Sequence, residues 1–277
     1  GNRVVYCLSI LIFAGMITMS ISQNLPDTVW MQVVFYDFHA DGSNPDFEAV
    51  VCGLKTGMVD STLGSNRKPV LKNDLCANGY VEQWFVPSGA PGSSFIFNED
   101  TRRWEWTSLV SYQGHSGEWV GADYDPNDSM ANIVIYDSLP FLLDNSGRPL
   151  YTFRRDGLRG EGFFWLDGRG YGKEPIATER DHNYGFTMEL HEEFIYTGGE
   201  TFEFSGDDDV WVFVNNCLVL DMGGVHAQVR GMFNLNDIAA TCALEKGLPY
   251  TFDFFYAERQ TIQSNCSNEP DCIATIP

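Results

Sequence analysis

The apolar and aromatic residues of this chain fall into short runs that are bounded by Gly, Asn, Asp or Pro. Runs of this length that are rich in β-branched and aromatic side chains predict β-strands. The predicted strands are 29–36, 132–136, 185–190, 201–204, 210–214, 218–222 and 250–256. One helix is predicted between Leu235 and Leu244, with Asn234 or Asn236 as its cap and Gly247 after its end. The pattern therefore predicts an all-β fold.

Two features interrupt this regular pattern. Asn215 and Asn216 separate two predicted strands and favour a type I′ hairpin, because both central residues of that turn have a positive φ. Residues 53–128 show looser spacing, with clusters of Gly, Ser, Asn and Pro. A structureless loop of that length is unusual inside a domain, so we expect an inserted elaboration made of small hairpins. The length then predicts one elaborated domain over residues 23–277.

Residues 1–22 differ from the rest of the chain. Arg3 precedes an uncharged apolar run, and Ser20 and Ser22 place small residues before a cleavage position at Gln23. This arrangement is typical of a secretory signal peptide. A transmembrane anchor is the alternative, but it requires about 20 apolar residues, and this run is shorter. We therefore expect a protein that is secreted or displayed at the cell surface, with no membrane span in the mature chain.

The cysteine content is also typical of a secreted protein. Cys7 lies in the predicted signal peptide, and an even number of cysteines remains, which predicts disulfides in a secreted chain. The candidates are Cys52, Cys76, Cys217, Cys242, Cys266 and Cys272. Local spacing suggests Cys52 with Cys76, whereas the pairing of the other four stays open. A zinc site is the competing interpretation, but the chain has no C-x-x-C pair. N-glycosylation triplets begin at Asn127 and Asn265.

The charge balance excludes one class of partner. The chain has 17 Lys and Arg against 38 Asp and Glu, a formal net charge of -21. Nucleic-acid binding needs a basic face that displaces counterions from phosphates, so nucleic acid is excluded as a partner. Divalent cations can bridge acidic faces between subunits, which leaves a homo-oligomer or larger assembly open.

The densest polar signal is a run of carboxylates between two predicted strands. Asp207, Asp208 and Asp209 follow the strand that ends at Phe204 and precede the strand that begins at Val210. Adjacent carboxylates repel one another unless solvent or a cation neutralises them. Ca²⁺ prefers oxygen ligands of this kind. The sequence therefore offers a candidate Ca²⁺ site, with a solvated acidic turn as the alternative.

The surrounding residues resemble a known family. The similarity lies in four blocks that occur in the family's order, 182–187, 202–216, 223–226 and 254–265. Together they resemble the signature of the fibro-slime domain over about residues 180–266. That family is related to the protective-antigen-type domain of yeast flocculins and epithelial adhesins. The resemblance implies an antiparallel, jelly-roll-like β-sandwich with the 53–128 elaboration inserted.

The resemblance also implies a metal site. In the lectin-like relatives, two consecutive aspartates joined by a cis peptide hold a Ca²⁺ that binds sugar hydroxyls. The matching pair here is Asp207 and Asp208, while Asp209 stands where relatives often have Gly. The relatives add an Asn from a later loop, for which Asn265 is the positional candidate. A glycan on Asn265 would compete with that role.

Weaker candidates flank this motif. Asp221 and His226 lie on either side of the pair Gly223-Gly224 and could orient one another or a ligand, with a structural hydrogen bond as the alternative. Asp209 is a third candidate ligand-binding residue. A second acidic cluster over residues 37–46 is interpreted as a turn, with a second cation site as the alternative.

No motif predicts catalysis. The triplet His191-Glu192-Glu193 lacks the second His of a metalloprotease helix, since Ile195 occupies that position. The chain contains no G-x-S-x-G nucleophile motif. We therefore expect a non-enzymatic, secreted, Ca²⁺-binding, lectin-like adhesion module whose partner is a carbohydrate or a neighbouring extracellular protein. The alternative is a structural building block of an extracellular matrix, sheath or filament that binds no free glycan.

Overall fold

The structure is a computed structural model of the chain. It describes residues 26–47, 52–73, 76, 81–89, 95–98, 103–112, 114–144, 150–153, 163–172, 182–260 and 273–276. The predicted signal peptide and the residues Asn265, Cys266 and Cys272 lie outside these ranges. No helix in the described ranges has the length and apolar character required to cross a membrane.

The fold is almost entirely β, as the apolar runs predict. The strands are β1 (Thr28–Phe38), β2 (Phe95–Asn98), β3 (Arg103–Trp106), β4 (Leu109–Ser111), β5 (Glu118–Gly121), β6 (Asn132–Asp144), β7 (Leu150–Phe153), β8 (Phe186–Ile195), β9 (Thr201–Gly206), β10 (Val210–Val214), β11 (Cys217–Met222), β12 (Val229–Asn234), β13 (Pro249–Glu258) and β14 (Ile273–Ile276). The helix α1 covers Leu235–Ile238, and a 3-10 turn covers Val81–Gln83.

The main sheet is antiparallel throughout and forms two layers. Its order is β11-β10-β13-β8-β1-β6-β7-β14-β9-β12, with β5 joining β6 and β4 joining β5. The strands from β11 to β6 form the first layer, and those from β7 to β12 form the second. Side chains of both layers, such as Val212 and Phe254 from the first and Phe204 and Phe233 from the second, meet in one buried cluster. The predicted antiparallel β-sandwich is therefore confirmed.

The opposite face of the first layer is also buried. Trp211, Phe213 and Phe255 point away from the sandwich core and pack in a second cluster with Trp84 and Phe85 from the elaboration. This explains why every residue of β10 is buried, although a strand with one solvated face would alternate. The elaboration therefore acts as a third layer.

Within the elaboration, β2 pairs with β3 and β4 pairs with β5 as two short hairpins. A disulfide joins Cys52 to Cys76, with the Cα atoms 6.0 Å apart, which confirms the pairing suggested by local spacing. Residues 52–73 are mostly irregular and lie against the first layer, where Lys55 exchanges backbone hydrogen bonds with Gly223.

A buried ionic cluster fixes this third layer to the sheet. Lys68 from the elaboration pairs with Glu189 of β8, and both side chains are at most 2% exposed. Burial favours a higher pKa for Glu189, but the charges of Lys68 and His191 more than offset it and lower that pKa to about 2. Next to this pair, Nδ1 of His191 lies 2.6 Å from the Asp253 carboxylate. Ion pairing as well as apolar packing therefore holds the elaboration against the sheet.

The predicted hairpin is confirmed, whereas the predicted helix is confirmed only at its start. Asn215 and Asn216 have φ values of 51° and 59°, as a type I′ turn requires. The helix begins as predicted, with the Asn234 side chain accepting a hydrogen bond from the backbone N–H of Asn236. Its predicted end at residue 244 is wrong, because α1 ends at Ile238 and Ala243 adopts a positive φ of 53° that no helix continues through.

Candidate cation site at the β9–β10 turn

The three aspartates form the connection between β9 and β10. Asp207, Asp208 and Asp209 are all buried, with 3%, 4% and 0% of their surface exposed. Asp208 has a positive φ of 57°, a conformation that Asp tolerates better than most residues. Every peptide bond of the described residues is trans, including the bond between Asp207 and Asp208. The turn is therefore an enclosed acidic site rather than a solvated acidic loop.

Asp209 points inward and is held by protein contacts. One carboxylate oxygen lies 2.6 Å from Nε of Arg259, and the other accepts a 2.5 Å hydrogen bond from the backbone N–H of Gly224. Its backbone carbonyl accepts a hydrogen bond from the N–H of Ala257. Gly224 has a φ of +93°, and a Cβ there would lie 2.5 Å from the carbonyl oxygen of Gly53. The glycine pair is therefore needed for the close approach of the elaboration.

Arg259 is the cation of this cluster, and no sequence motif predicted a role for it. It is 1% exposed and donates to the backbone carbonyls of Asp46 (3.1 Å) and Cys76 (2.9 Å). Its guanidinium lies 4.7 Å from the ring centroid of Trp84, within the range of a cation–π contact. The sequence signal that could have pointed to Arg259 is its position as a basic residue inside the 254–265 block of a strongly acidic chain.

Two further carboxylates of the cluster, those of Asp208 and Glu258, have raised pKa values. Burial, followed by the charge of Asp209, raises the pKa of Asp208 to about 8, although the charge and backbone N–H of Arg259 act in the opposite direction. Burial and the charges of Asp207 and Asp208 raise the pKa of Glu258 well above its usual range. Tyr256 donates a 2.8 Å hydrogen bond to the Glu258 carboxylate. Asp207, Asp208 and Glu258 thus form a mutually repelling group beside a single arginine.

This donor set suits a hard cation by its chemistry. Asp207 and Asp208 offer the carboxylate oxygens that Ca²⁺ prefers, and Asp208 already accepts a 2.7 Å hydrogen bond from the N–H of Arg259 through one oxygen. Among the described residues, no three His, Cys, Asp or Glu side chains are arranged to hold a metal ion by themselves. Asn265 lies outside the described ranges. A cation here would therefore need further oxygens beyond the aspartate pair.

Asp221 and His226 lie beside this site but are not bonded to one another. The Asp221 carboxylate accepts hydrogen bonds from Trp211 Nε1 (3.1 Å) and from the backbone N–H of Gly57 (2.6 Å). His226 contacts the carbonyl oxygen of Ala227 through Nδ1 at 2.9 Å. Asp221 thus joins β11 to the elaboration through hydrogen bonds. This is the structural role that the sequence offered as the alternative to ligand binding.

The second acidic cluster also makes structural contacts. Asp37 accepts hydrogen bonds from the Asn183 side chain (2.7 Å) and from the backbone N–H of Tyr171 (2.6 Å). Asp41 accepts from the backbone N–H of Ser43. These carboxylates serve separate contacts, as expected for the turn interpretation.

Two further predicted features are visible in part. A second disulfide joins Cys217 to Cys242, a pairing that the sequence left open, while Cys266 and Cys272 lie outside the described ranges. Asn127 is exposed in a turn in which its side chain donates to Asp125. Its glycosylation stays a prediction.

Part of the chain matches a known domain family. Residues 169–272 match the PA14 domain family, and this range contains the aspartate turn, Arg259 and most of the second half of the sandwich. The PA14 domain is an adhesion-type module that binds carbohydrate. The match and the two disulfides indicate an extracellular protein.

The chain is also similar to proteins of Dictyostelium discoideum. It is 42% identical to protein psiC over 86% of this chain and 40% of that protein. It is 32% identical to protein psiB over 98% of this chain and 44% of that protein. The chain therefore spans less than half the length of these relatives. Among solved structures, the PA14 domain of the MpAFP antifreeze protein matches 36% of this chain and 44% of its own, with 10% identity and a TM-score of 0.23.

Proposed function

We propose that this chain is a secreted, fibro-slime-type PA14 module that binds Ca²⁺ at Asp207 and Asp208 and presents it to a carbohydrate. The observation that carries the proposal is the buried acidic group at the β9–β10 turn. Burial of several carboxylates is costly unless positive charge accompanies them. Arg259 supplies one positive charge, and it is directed to Asp209. A divalent cation would supply the charge that Asp208 and Glu258 otherwise offset by binding protons.

A structural role is the second candidate, and one observation favours it. Asp207 and Asp208 are only 3% and 4% exposed, whereas a lectin site leaves part of the cation's coordination open to sugar hydroxyls. A fully enclosed cation would stabilise the module as a building block of a matrix, sheath or filament. In either role the module is non-enzymatic, and its partner is a glycan or a neighbouring extracellular protein, including another copy of itself.

A glycan-binding assay separates the two roles. The purified chain would be applied to immobilised glycans in Ca²⁺ and in EDTA, beside Asp207→Asn and, as a charge-matched control, Asp237→Asn at an exposed position on α1. Binding that requires both Ca²⁺ and Asp207 supports the lectin role. Ca²⁺ binding without any glycan binding supports the structural role. Glycan binding that survives EDTA and Asp207→Asn would refute the proposed site.

A further inference from the structure

A cavity opens between the two layers of the sandwich, far from the aspartate turn. Its volume is about 240 Å³. It lies where β9 and β13 begin, whereas the aspartate turn lies where β9 ends. The lining includes three glutamates and four phenylalanines, Glu192, Glu193, Glu200, Phe194, Phe202, Phe233 and Phe252. This cavity has no part in the function proposed above.

Glu192 occupies a position where the strand pattern calls for an apolar side chain. Alternate residues of β8 face the sandwich core, and Phe186, Met188 and Leu190 all lie in the main buried cluster. Glu192 continues that series and is directly opposite Phe252 of β13. A carboxylate at an inward position of a central strand is unfavourable unless something compensates it.

Nothing in the described part of the chain compensates this carboxylate with a hydrogen bond or an ion pair. Burial raises the pKa of Glu192, and the neighbouring charge of Glu193 adds to the increase, with His191 acting in the opposite direction. Of the two other acids at the cavity, Glu193 is exposed and Glu200 is buried, with its carboxylate accepting hydrogen bonds from the backbone N–H groups of Thr197 and Gly198. Glu192 is therefore a carboxylate available to a ligand.

Four phenylalanines form the aromatic part of the wall, beside the aliphatic side chains of Val29, Met31 and Leu235. The rings of Phe202 and Phe233 are stacked with their centroids 5.3 Å apart, and Phe252 lies at the same distance from Phe202. Phe194 follows Glu192 at the next inward position of β8 and also lines the cavity. Aromatic faces attract organic cations through the ring quadrupole, and the attraction is strongest where water is excluded.

From this combination we propose that the cavity binds a small organic ammonium ion, of the size of choline, with Glu192 as its counter-ion and the phenylalanine rings around it. The volume is below the range of about 300–1,000 Å³ typical of sites for drug-sized ligands, which suits a smaller molecule. Glu193 and Glu200 also line the cavity, but among the described residues no three acidic side chains are arranged to hold a metal ion, so the cavity does not provide the oxygen set that Ca²⁺ requires. A neutral apolar ligand would leave the carboxylate without a partner.

Choline is the probe for the test, and 3,3-dimethyl-1-butanol is its neutral isostere. Calorimetric titration of the purified chain with choline is expected to show saturable binding, and the neutral isostere is expected to bind at least about tenfold more weakly. Glu192→Gln keeps the shape of the side chain and removes its charge, so choline affinity should fall by about tenfold or more. Phe233→Leu keeps the wall apolar but removes one ring and should also weaken binding.

The control is Glu82→Gln, which removes the same charge from an exposed position in the elaboration and should leave choline affinity unchanged. Circular dichroism would confirm that each variant is folded. Absence of saturable choline binding to the folded chain would overturn the proposal. Equal affinity for choline and the neutral isostere, or unchanged affinity in both Glu192→Gln and Phe233→Leu, would overturn it as well.

Discussion

At the scale of single residues, the charge of the candidate site depends on which carboxylate pairs with the buried side chain of Arg259. Arg259 binds Asp209 through its side chain and Asp208 through its backbone N–H. Asp209 is therefore a structural carboxylate, and the pair Asp207-Asp208 is left with Glu258 as the acidic group. This division explains how three adjacent aspartates can be buried in one turn.

Arg259→Gln should destabilise the fold by about 3–5 kcal/mol, because it leaves Asp209 as a buried charge without its partner. Chemical denaturation of the variant and the unchanged chain measures this difference. Arg230→Gln is the matched control, since Arg230 pairs with Glu203 but is 64% exposed, and exposed pairs contribute little. Equal stability of the two variants would contradict the role assigned to Arg259.

The raised pKa of Asp208 predicts a pH dependence of stability. An unfolded aspartate titrates near 3.9, whereas Asp208 in the fold titrates at about 8, so the folded state binds more protons between these values. Stability in EDTA should therefore fall as the pH rises from about 4 to about 8. Thermal denaturation across this window measures the slope, which Asp208→Asn should reduce. A slope that Asp208→Asn leaves unchanged would contradict the assignment.

The sequence predicted only some of the residues that form the acidic cluster at the β9–β10 turn. Asp207 and Asp208 were found because their spacing matches a family motif. Arg259 was not, because its side-chain contacts with Asp209, Asp46 and Cys76 join residues that are 50, 213 and 183 positions apart. Contacts of that range depend on the tertiary fold and leave no local pattern.

At the scale of elements, local patterns predicted seven of the fourteen strands in the described ranges individually and β2–β5 only as hairpins of the elaboration. They missed β7, β12 and β14 and placed the end of the helix wrongly. The strands follow from alternating or continuous apolar runs, and the hairpin follows from the positive φ that Asn215 and Asn216 tolerate. The chain that follows α1 makes longer-range contacts. The Asn215 side chain donates to the carbonyl of Cys242, and Cys242 is also joined to Cys217. The segment after Ile238 is thus attached to the β10–β11 hairpin by a pairing that the sequence left open.

The two disulfides offer a matched comparison of what each one stabilises. They close segments of 24 and 25 residues, so the loss of chain entropy alone predicts about 3 kcal/mol for either. Removing Cys52–Cys76 should cost more than that, because this disulfide also holds the backbone carbonyl of Cys76 in position to accept from Arg259. Denaturation of the two Cys-to-Ser double variants measures the difference. An equal cost would show that the Arg259 contact contributes nothing beyond the disulfide.

At the scale of the whole molecule, the first layer of the sheet is covered on both faces. The second layer covers one face, and the elaboration covers the other through Trp84, Phe85 and the ion pair of Lys68 with Glu189. The elaboration also supplies the backbone carbonyl of Cys76 to Arg259. It is therefore part of the support of the candidate site. The sequence predicted an insertion there but not this role, since the pairing of Lys68 with Glu189 spans 121 positions.

Lys68→Met tests that coupling. The variant leaves Glu189 buried without its lysine and should lower stability by about 3–5 kcal/mol. Lys72→Met, at an exposed position four residues later, should have little effect. Limited proteolysis alongside denaturation should show earlier cleavage in residues 52–73 of the Lys68 variant. Cleavage at the same rate in both variants would contradict the attachment described here.

Calorimetric titration of Ca²⁺ into the EDTA-treated chain shows whether the β9–β10 turn binds this cation. We expect saturable binding that the double variant Asp207→Asn/Asp208→Asn loses and that the exposed control Asp237→Asn retains. Binding should weaken at acidic pH, because protonated carboxylates do not coordinate the cation. A folded chain that binds no Ca²⁺, or a double variant that binds it as well as the unchanged chain, would refute a Ca²⁺ site at this turn.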